Sequence, residues 1–259
     1  MAPPNAVCAV VSRGSIVSDL SPHRILRESM IVALANLFAR RLGSFASLPI
    51  PSDTSMIVID GPDPDRILLA GSGVVIGYGT TSHALGIGGY LARFVAAGTE
   101  RGVMLDIVPI DALLARFAPA HLTRIDLGGY AAVVLAVGVN DAFGMTSRNS
   151  WRRSIAATLN LFRDRMRPGS QVFVIAIADK TSSPLFHSGP SRRARSRGLA
   201  LNQETEWAVA SEPNVTTIEL QMGDGFDKLQ LYGASSYQRW ARQLSPHVIE
   251  GLAGGRSTR

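Results

Sequence analysis

The chain has a single cysteine, Cys8, among its 259 residues. One thiol cannot form an internal disulfide, and nothing near it has the spacing of a metal site or a redox pair. The first residues lack the basic flank of a secretory leader and carry two prolines ahead of a short apolar run. We therefore expect a reducing compartment and predict a cytoplasmic protein.

Long apolar runs and metal-ligand spacings are missing as well. No apolar stretch reaches the roughly 20 residues that a membrane-spanning helix requires, although 46% of the residues are hydrophobic. No pair among the five histidines has the spacing of metal ligands. The sequence predicts a soluble protein with no transmembrane segment, no metal site and no cofactor.

Acidic residues are fewer than basic ones, and the formal net charge is +6. Most of the excess is arginine, concentrated in the N-terminal segment, at 192–197 and near the C-terminus. Basic clusters can dock on phosphate groups or anionic membranes. No aromatic residue interleaves the run at 192–197, as stacking on single-stranded nucleic acid would require. We expect a solvated basic surface and find no firm indication of a nucleic-acid partner.

From residue 66 onward, short apolar strands alternate with amphipathic stretches. This rhythm predicts an α/β three-layer sandwich with a five-stranded parallel sheet. The closing helix should run through 237–242 and end before Pro246. The five predicted strands are 66–70, 103–110, 131–137, 171–178 and 215–220.

The chain ahead of the first predicted strand has a different character. Residues 1–64 read as an extension with one basic amphipathic helix at about 21–42, followed by a stretch rich in Ser, Pro and Asp. The apolar stripe of that helix is expected to pack on the sheet domain, on another protein or on a second copy of the chain. Residues 65–250 then form one domain, and 251–259 a flexible tail.

The loop after the first strand begins Gly71-Ser72-Gly73. In a parallel sheet, ligands bind beyond the carboxyl ends of the strands. Glycines there permit a tight turn and expose backbone N–H groups to an anion or oxyanion. A dinucleotide site is the rival interpretation, but the spacing to Gly77 is one residue too long for that fingerprint.

The loop after the third strand reads Gly138-Val139-Asn140-Asp141. The Asn140 carboxamide would project into the same cleft, where it could donate to a developing oxyanion. In the alternative interpretation, Asn140 and Asp141 only turn the chain and cap the next helix.

Together these loops resemble the SGNH (GDSL-type) ester hydrolases, and the resemblance spans about residues 66–248. It implies a flavodoxin-like layered fold and a nucleophilic mechanism. In that mechanism a serine attacks an ester carbonyl, a histidine removes its proton and an aspartate orients the histidine. Backbone N–H groups and an asparagine hold the oxyanion. The loop at 138–141 matches the family's Gly-x-Asn-Asp without change, and Asp227 falls on the aspartate of its final Asp-x-x-His.

The other blocks depart from the family pattern. Aligning Gly71 with the first glycine of Gly-Asp-Ser puts Ser72 on the aspartate and Gly73 on the nucleophile, and glycine has no side chain with which to attack. The glycine of the second block should follow Val108, where this chain has Pro109.

The catalytic histidine is replaced too. Counting from Asp227 puts Gln230 at its position, and counting back from the last helix puts Leu231 there. Neither side chain can shuttle a proton at neutral pH. Of the residues that name the family, only Asn140 stays in register.

Three functions are consistent with this pattern. The first is a degenerate domain that has lost classical ester hydrolysis and keeps its cleft for a small acyl or glycosyl ligand, or serves as a scaffold. The second is an active esterase or lipase-type hydrolase with a displaced nucleophile, Ser72, for which His83 is a candidate base and Asn140 the oxyanion donor. The third is an interaction protein acting through its basic N-terminal helix. The candidate catalytic residues are Ser72, Asn140 and Asp227, and the candidate ligand-binding residues are Gly71, Gly73, His83, Gly138, Asp141 and Gln230.

Overall fold

A computed structural model describes residues 48–111, 113–178, 189–221 and 232–257. Cys8, the helix expected at 21–42 and the last-block residues Asp227, Gln230 and Leu231 lie outside the described residues. The strands are β1 (Met56–Ile59), β2 (Asp65–Gly71), β3 (Val103–Pro109), β4 (Ala132–Ala136), β5 (Gln171–Ile175) and β6 (Val215–Ile218). The helices are α1 (Ile87–Thr99), α2 (Ala118–Leu122), α3 (Val139–Phe143), α4 (Arg148–Arg165), α5 (Gly189–Val209) and α6 (Ala234–Ser257).

The strands form a single sheet in the order β1-β3-β2-β4-β5-β6. All neighbouring pairs are parallel except β1 with β3, which is antiparallel. The five predicted strands correspond to β2–β6, so the predicted three-layer α/β fold is confirmed. The sheet has one strand more than predicted, because β1 adds to its edge.

Helices cover both faces of the sheet. Successive side chains of a strand point to opposite faces, and on β2 Leu69 packs in the cluster that contains Leu91 of α1 and Trp240 of α6. Leu68 packs in the opposite cluster, with Trp151 of α4 and Leu201 of α5. Every residue of β4 is buried, as expected of a central strand covered on both faces.

Helix α6 continues through Pro246, where the sequence predicts its end. A proline cannot donate to the carbonyl four residues earlier, here that of Arg242. The Ser245 hydroxyl donates to that carbonyl at 3.4 Å, which supplies a replacement hydrogen bond. The helix therefore takes in residues 251–257, which sequence analysis assigns to a flexible tail.

Candidate functional site

The turn after β2 places Ser72 against β4. Gly71 has φ +134°, and a Cβ there would lie 2.0 Å from the Ala136 carbonyl oxygen. Ser72 N donates to that same oxygen at 3.0 Å. Only glycine allows the two strands to approach this closely at this backbone angle. The contact fixes Ser72 at the carboxyl edge of the sheet.

Ser72 and Asn140 lie in contact at this edge of the sheet. Asn140 Nδ2 donates to Ser72 Oγ at 3.4 Å and to the Leu113 carbonyl at 3.1 Å. Ser72 is only 5% exposed. Because an amide N–H is a donor, Asn140 can polarise an oxygen but cannot accept the hydroxyl proton. Within the described ranges, no side chain that could act as a base is hydrogen-bonded to Ser72.

Gly138 makes the turn that carries Asn140. Its φ is +115°, and a Cβ would lie 2.6 Å from Ile177 Cδ1 and 2.8 Å from the Trp151 ring. A side chain would therefore displace the wall formed by Ile177. Gly138 acts on the site through backbone shape.

Asp141 is buried beneath this turn, with 2% of its surface exposed. Its carboxylate accepts from Ala115 N and from Thr146 Oγ1, both at 2.9 Å. Burial raises the pKa of Asp141 to about 6, although these hydrogen bonds act in the opposite direction. Through Ala115 N, the carboxylate holds the segment that contains Leu113 beside the turn that carries Asn140, so Asp141 is a positioning residue of the site.

The motif alignment predicts that Gly73 stands at the place of the family's nucleophile. Its φ is +65°, and a Cβ there would meet no atom within 4 Å. The space for a side chain exists, but the reactive group does not. The structure thus gives no steric reason for the glycine beyond its backbone angle.

Neither of the first two described residues at the end of β3 offers a free backbone donor. Pro109 has no N–H, and the following N–H, that of Ile110, donates to the Gly71 carbonyl at 2.7 Å. Next to it, Tyr78 Oη donates to Asp111 Oδ1 at 3.3 Å. Burial, reinforced by the Asp111 charge, raises the pKa of Tyr78 to about 12. Neither Pro109 N nor Ile110 N is available to an oxyanion.

His83 pairs with Asp53, a residue that sequence reasoning missed. His83 Nδ1 donates to Asp53 Oδ1 at 2.7 Å, and the His83 backbone N–H reaches the same oxygen at 2.9 Å. Ser82 Oγ donates to Asp53 Oδ2 at 2.7 Å. Hydrogen bonds from Ser82 and from the His83 backbone lower the pKa of Asp53 to about 2. Asp53 precedes β1 in the Ser-, Pro- and Asp-rich stretch, and no local pattern marks it.

The Ser72–His83 couple of the second hypothesis has no hydrogen bond in the structure. Ser72 Oγ is bonded by Asn140, whereas the His83 ring is bonded to Asp53. His83 is 6% exposed and lies in a 3₁₀ turn, His83–Leu85, that leads into α1. Its hydrogen bonds hold the segment before β1 on the loop that follows Ser72.

A cavity of about 70 Å³ opens beside Ser72 and Gly73 at the ends of β4, β5 and β6. Tyr232, at the start of the last helix region, forms one side. The remaining walls are almost wholly aliphatic. They include Val74, Ala136, Val137, Val139, Ile175, Ala176, Ile177, Ala178 and Leu220.

Neither a metal-binding cluster nor a membrane-spanning helix is present in the part of the chain that the structure describes. No group of three His, Cys, Asp or Glu side chains that could hold a metal ion occurs in the described ranges. No helix of the described chain is long and apolar enough to cross a bilayer.

Comparison with known proteins shows which solved structures share this fold. No family model and no curated protein matches the sequence. Among solved structures, a lipase from a goat rumen metagenome aligns with TM-score 0.57 at 12% identity, covering 74% of this chain and 99% of that one. A lipase/acylhydrolase from Enterococcus faecalis aligns with TM-score 0.55 at 17% identity, covering 72% and 96%. A carbohydrate acetylesterase family member from Sinorhizobium meliloti aligns with TM-score 0.53 at 13% identity, covering 73% and 99%.

The chain therefore has the SGNH (GDSL-type) hydrolase fold, and the resemblance stated from its sequence motifs is confirmed at that level. Identities this low show the fold alone. The chemistry has to be argued from the site itself.

Proposed function

We propose that this chain is an SGNH-fold binding protein that holds a small acyl ligand beside Ser72 and does not hydrolyse esters by the family's serine chemistry. The observation that supports the proposal is Gly73, which the motif alignment puts at the nucleophile's place and which has empty space where a side chain would be. Without an attacking oxygen at that point, the covalent step has no starting atom.

The lining of the cavity favours an acyl over a glycosyl ligand. Its walls are aliphatic apart from Ser72 and Tyr232. Sugar hydroxyls buried there would lose hydrogen bonds to water without replacement. An acyl chain would displace water from apolar surface, while the Ser72 hydroxyl, which lines the cavity, could donate to its carbonyl or carboxylate end.

The remaining parts of the family mechanism are weak in this chain. At the second block Pro109 has no N–H and Ile110 N is bonded to the Gly71 carbonyl, and Gln230 or Leu231 falls at the position that the resemblance gives to histidine. Losing nucleophile and base in a triad enzyme removes on the order of 10⁶-fold in rate. A cytoplasmic location remains part of this proposal, on the ground of the single cysteine.

A second candidate is an esterase that uses Ser72 itself. It is favoured by one contact, since Ser72, which lines the cavity, accepts at Oγ from Asn140 Nδ2 at 3.4 Å. It needs a base, and the described residues place His83 on Asp53 instead. The third hypothesis, interaction through the helix at 21–42, concerns residues outside the described ranges.

Two assays separate the first two candidates. Purified protein and Ser72→Ala are assayed with short-chain p-nitrophenyl esters and labelled with a fluorophosphonate probe. We expect no turnover above the buffer rate and no labelling of either protein. Turnover and labelling that disappear in Ser72→Ala would instead establish a displaced nucleophile.

Binding is tested with butanoate by saturation-transfer NMR. Ala176→Phe should abolish the butanoate signal by filling the cavity. The matched control is Ala156→Phe, which puts the same ring on the exposed face of α4. Equal butanoate signals from both variants would rule out this cavity as the acyl site.

A further inference from the structure

Positive charge is concentrated on one side of the sheet. The residues described in 113–178 and 189–221, which include α2–α5, contain twelve arginines against seven carboxylates. Helices α1 and α6 cover the opposite face, and residues 48–111 and 232–257, which contain them, have six arginines against eight carboxylates. A basic layer of this kind attracts anionic surfaces over the distance of the Debye length.

An exposed tryptophan lies within this basic layer. Trp207 on α5 is 77% exposed, whereas the other two tryptophans, Trp151 and Trp240, are buried. The guanidinium carbon of Arg152 on α4 lies 5.8 Å from the centre of the Trp207 ring. Most of the ring therefore faces solvent beside a cation.

A buried carboxylate fixes the arginines beside Trp207. Glu204 has 4% of its side chain exposed and accepts from Arg148 Nε at 2.6 Å and Arg152 Nε at 2.8 Å. Both arginine side chains remain about half exposed. Because Glu204 holds one edge of each guanidinium, the other edge is oriented before any partner arrives.

We propose that this surface docks the protein peripherally on anionic lipid. We define the α4/α5 surface as Arg148, Arg152, Arg153, Arg192, Arg193 and Trp207. Tryptophan rings settle at the headgroup level of a bilayer, and arginines there bind lipid phosphate and carboxylate groups. Single-stranded nucleic acid fits less well, since successive bases need several rings and this surface presents one.

The α4/α5 surface and the cavity form one connected unit. Asn202 of α5 donates from Nδ2 to the Ile177 carbonyl at 2.7 Å and accepts from Ile177 N at 2.9 Å. Ile177 lines the cavity. Docking through α5 would thus hold the cavity at a fixed distance from the lipid. The inference stands whether or not Ser72 proves reactive.

Tryptophan fluorescence of the full chain tests the proposal. Vesicles of phosphatidylcholine with phosphatidylserine are compared with phosphatidylcholine alone. We expect a blue shift of Trp207 emission, and quenching by brominated lipid, with the anionic vesicles only. Residues 1–47 contain no tryptophan, so lipid binding by that segment alone would leave the signal unchanged. Binding without the shift or the quenching would overturn the proposal.

Vesicle sedimentation of single-site and double-site variants shows which residues contact the lipid. Trp207→Ala should weaken partitioning about tenfold. Arg192→Gln combined with Arg193→Gln should weaken it by roughly fivefold for each charge removed. The control is Arg242→Gln, because Arg242 is exposed and stacks over Phe94 at 5.6 Å on the opposite layer. Equal losses in the control, or a Trp207 response to a single-stranded oligonucleotide and not to vesicles, would refute lipid docking.

Discussion

At the scale of single residues, Gly71 and Gly73 of the same turn differ in whether the structure leaves room for a side chain. At Gly71 both the backbone angle and the Ala136 carbonyl exclude a side chain. At Gly73 only the positive φ disfavours a side chain, because no atom lies within 4 Å of the position that a Cβ would take. The first glycine allows the close approach of β2 and β4, and the second is the position at which we propose that the nucleophile is missing.

Substituting these two glycines should therefore have unequal effects. We expect Gly71→Ala to lower the free energy of unfolding by about 3 kcal/mol or more, and Gly73→Ser by about 1–2 kcal/mol. Urea unfolding measures both. Gly73→Ser should still fail to hydrolyse p-nitrophenyl esters, since it acquires neither a base nor a donor at Pro109. Robust hydrolysis by this variant would show that the rest of the machinery is intact.

A buried carboxylate gives the protein a distinctive pH dependence. The folded-state pKa of Asp141 is raised to about 6 from 3.8, so folding favours its protonated form. Its contribution to stability is full below pH 3.8 and is lost as pH rises through 6. The loss amounts to roughly 3 kcal/mol at about 1.4 kcal/mol per pKa unit.

Asp141→Asn should remove most of this fall in the free energy of unfolding with rising pH. An asparagine can still accept from Ala115 N through Oδ1 and can donate to Thr146 Oγ1 through Nδ2. Stability measured by urea unfolding between pH 4 and pH 7 should then fall less with rising pH than in the parent. Parallel profiles for the two proteins would mean that Asp141 titrates near its ordinary pKa.

At the scale of elements, the sequence is informative where a pattern is local. β2–β6 are predictable because each is an apolar run followed by a helical stretch. β1 has only four residues in a Ser-, Pro- and Asp-rich segment, and its partner β3 lies more than forty residues further along the chain. Asp53 escapes prediction for the same reason, since its contact with His83 exists only after the sheet forms.

In α6 the helix-ending effect of Pro246 is offset by the neighbouring residue, Ser245. Pro246 predicts a helix end, but Ser245 Oγ donates to the carbonyl that the proline leaves without its usual donor. Gly255 then packs so closely on the loop before β5 that a Cβ would lie 2.1 Å from the Gly169 carbonyl oxygen. Tertiary packing therefore favours continuation of the helix.

Two substitutions in α6 test this account. Pro246→Ala should raise the free energy of unfolding by about 1–3 kcal/mol, because it restores a helix donor and removes the ring. Ser245→Ala should lower it by about 1 kcal/mol. Ser245→Ala should cost less in the Pro246→Ala background than in the parent protein, since the new N–H serves the Arg242 carbonyl. Strict additivity in the double variant would count against that compensation.

At the scale of the whole molecule, the candidate site is assembled from distant parts of the chain. Ser72 follows β2, Asn140 follows β4 and Ile177 follows β5, while Asp53 reaches the same region from before β1. The family motif locates the first two from sequence. The cavity wall and the Asp53–His83 pair depend on strand order, which no short pattern encodes.

The segment before β2 should accordingly be part of the folding unit, although sequence analysis places it in an extension. Ile107 N donates to the Ser55 carbonyl at 2.7 Å, and four residue pairs join β1 to β3. A chain beginning at residue 62 should be less stable than one beginning at 48 by about 3 kcal/mol or more. It should also aggregate, because β3 becomes an open edge. In the chain that begins at residue 48, Asp53→Ala removes the contact with His83 and keeps the β1–β3 pairing, so it measures the two contributions separately. Identical urea midpoints for the two truncated chains would exclude β1 from the stable fold.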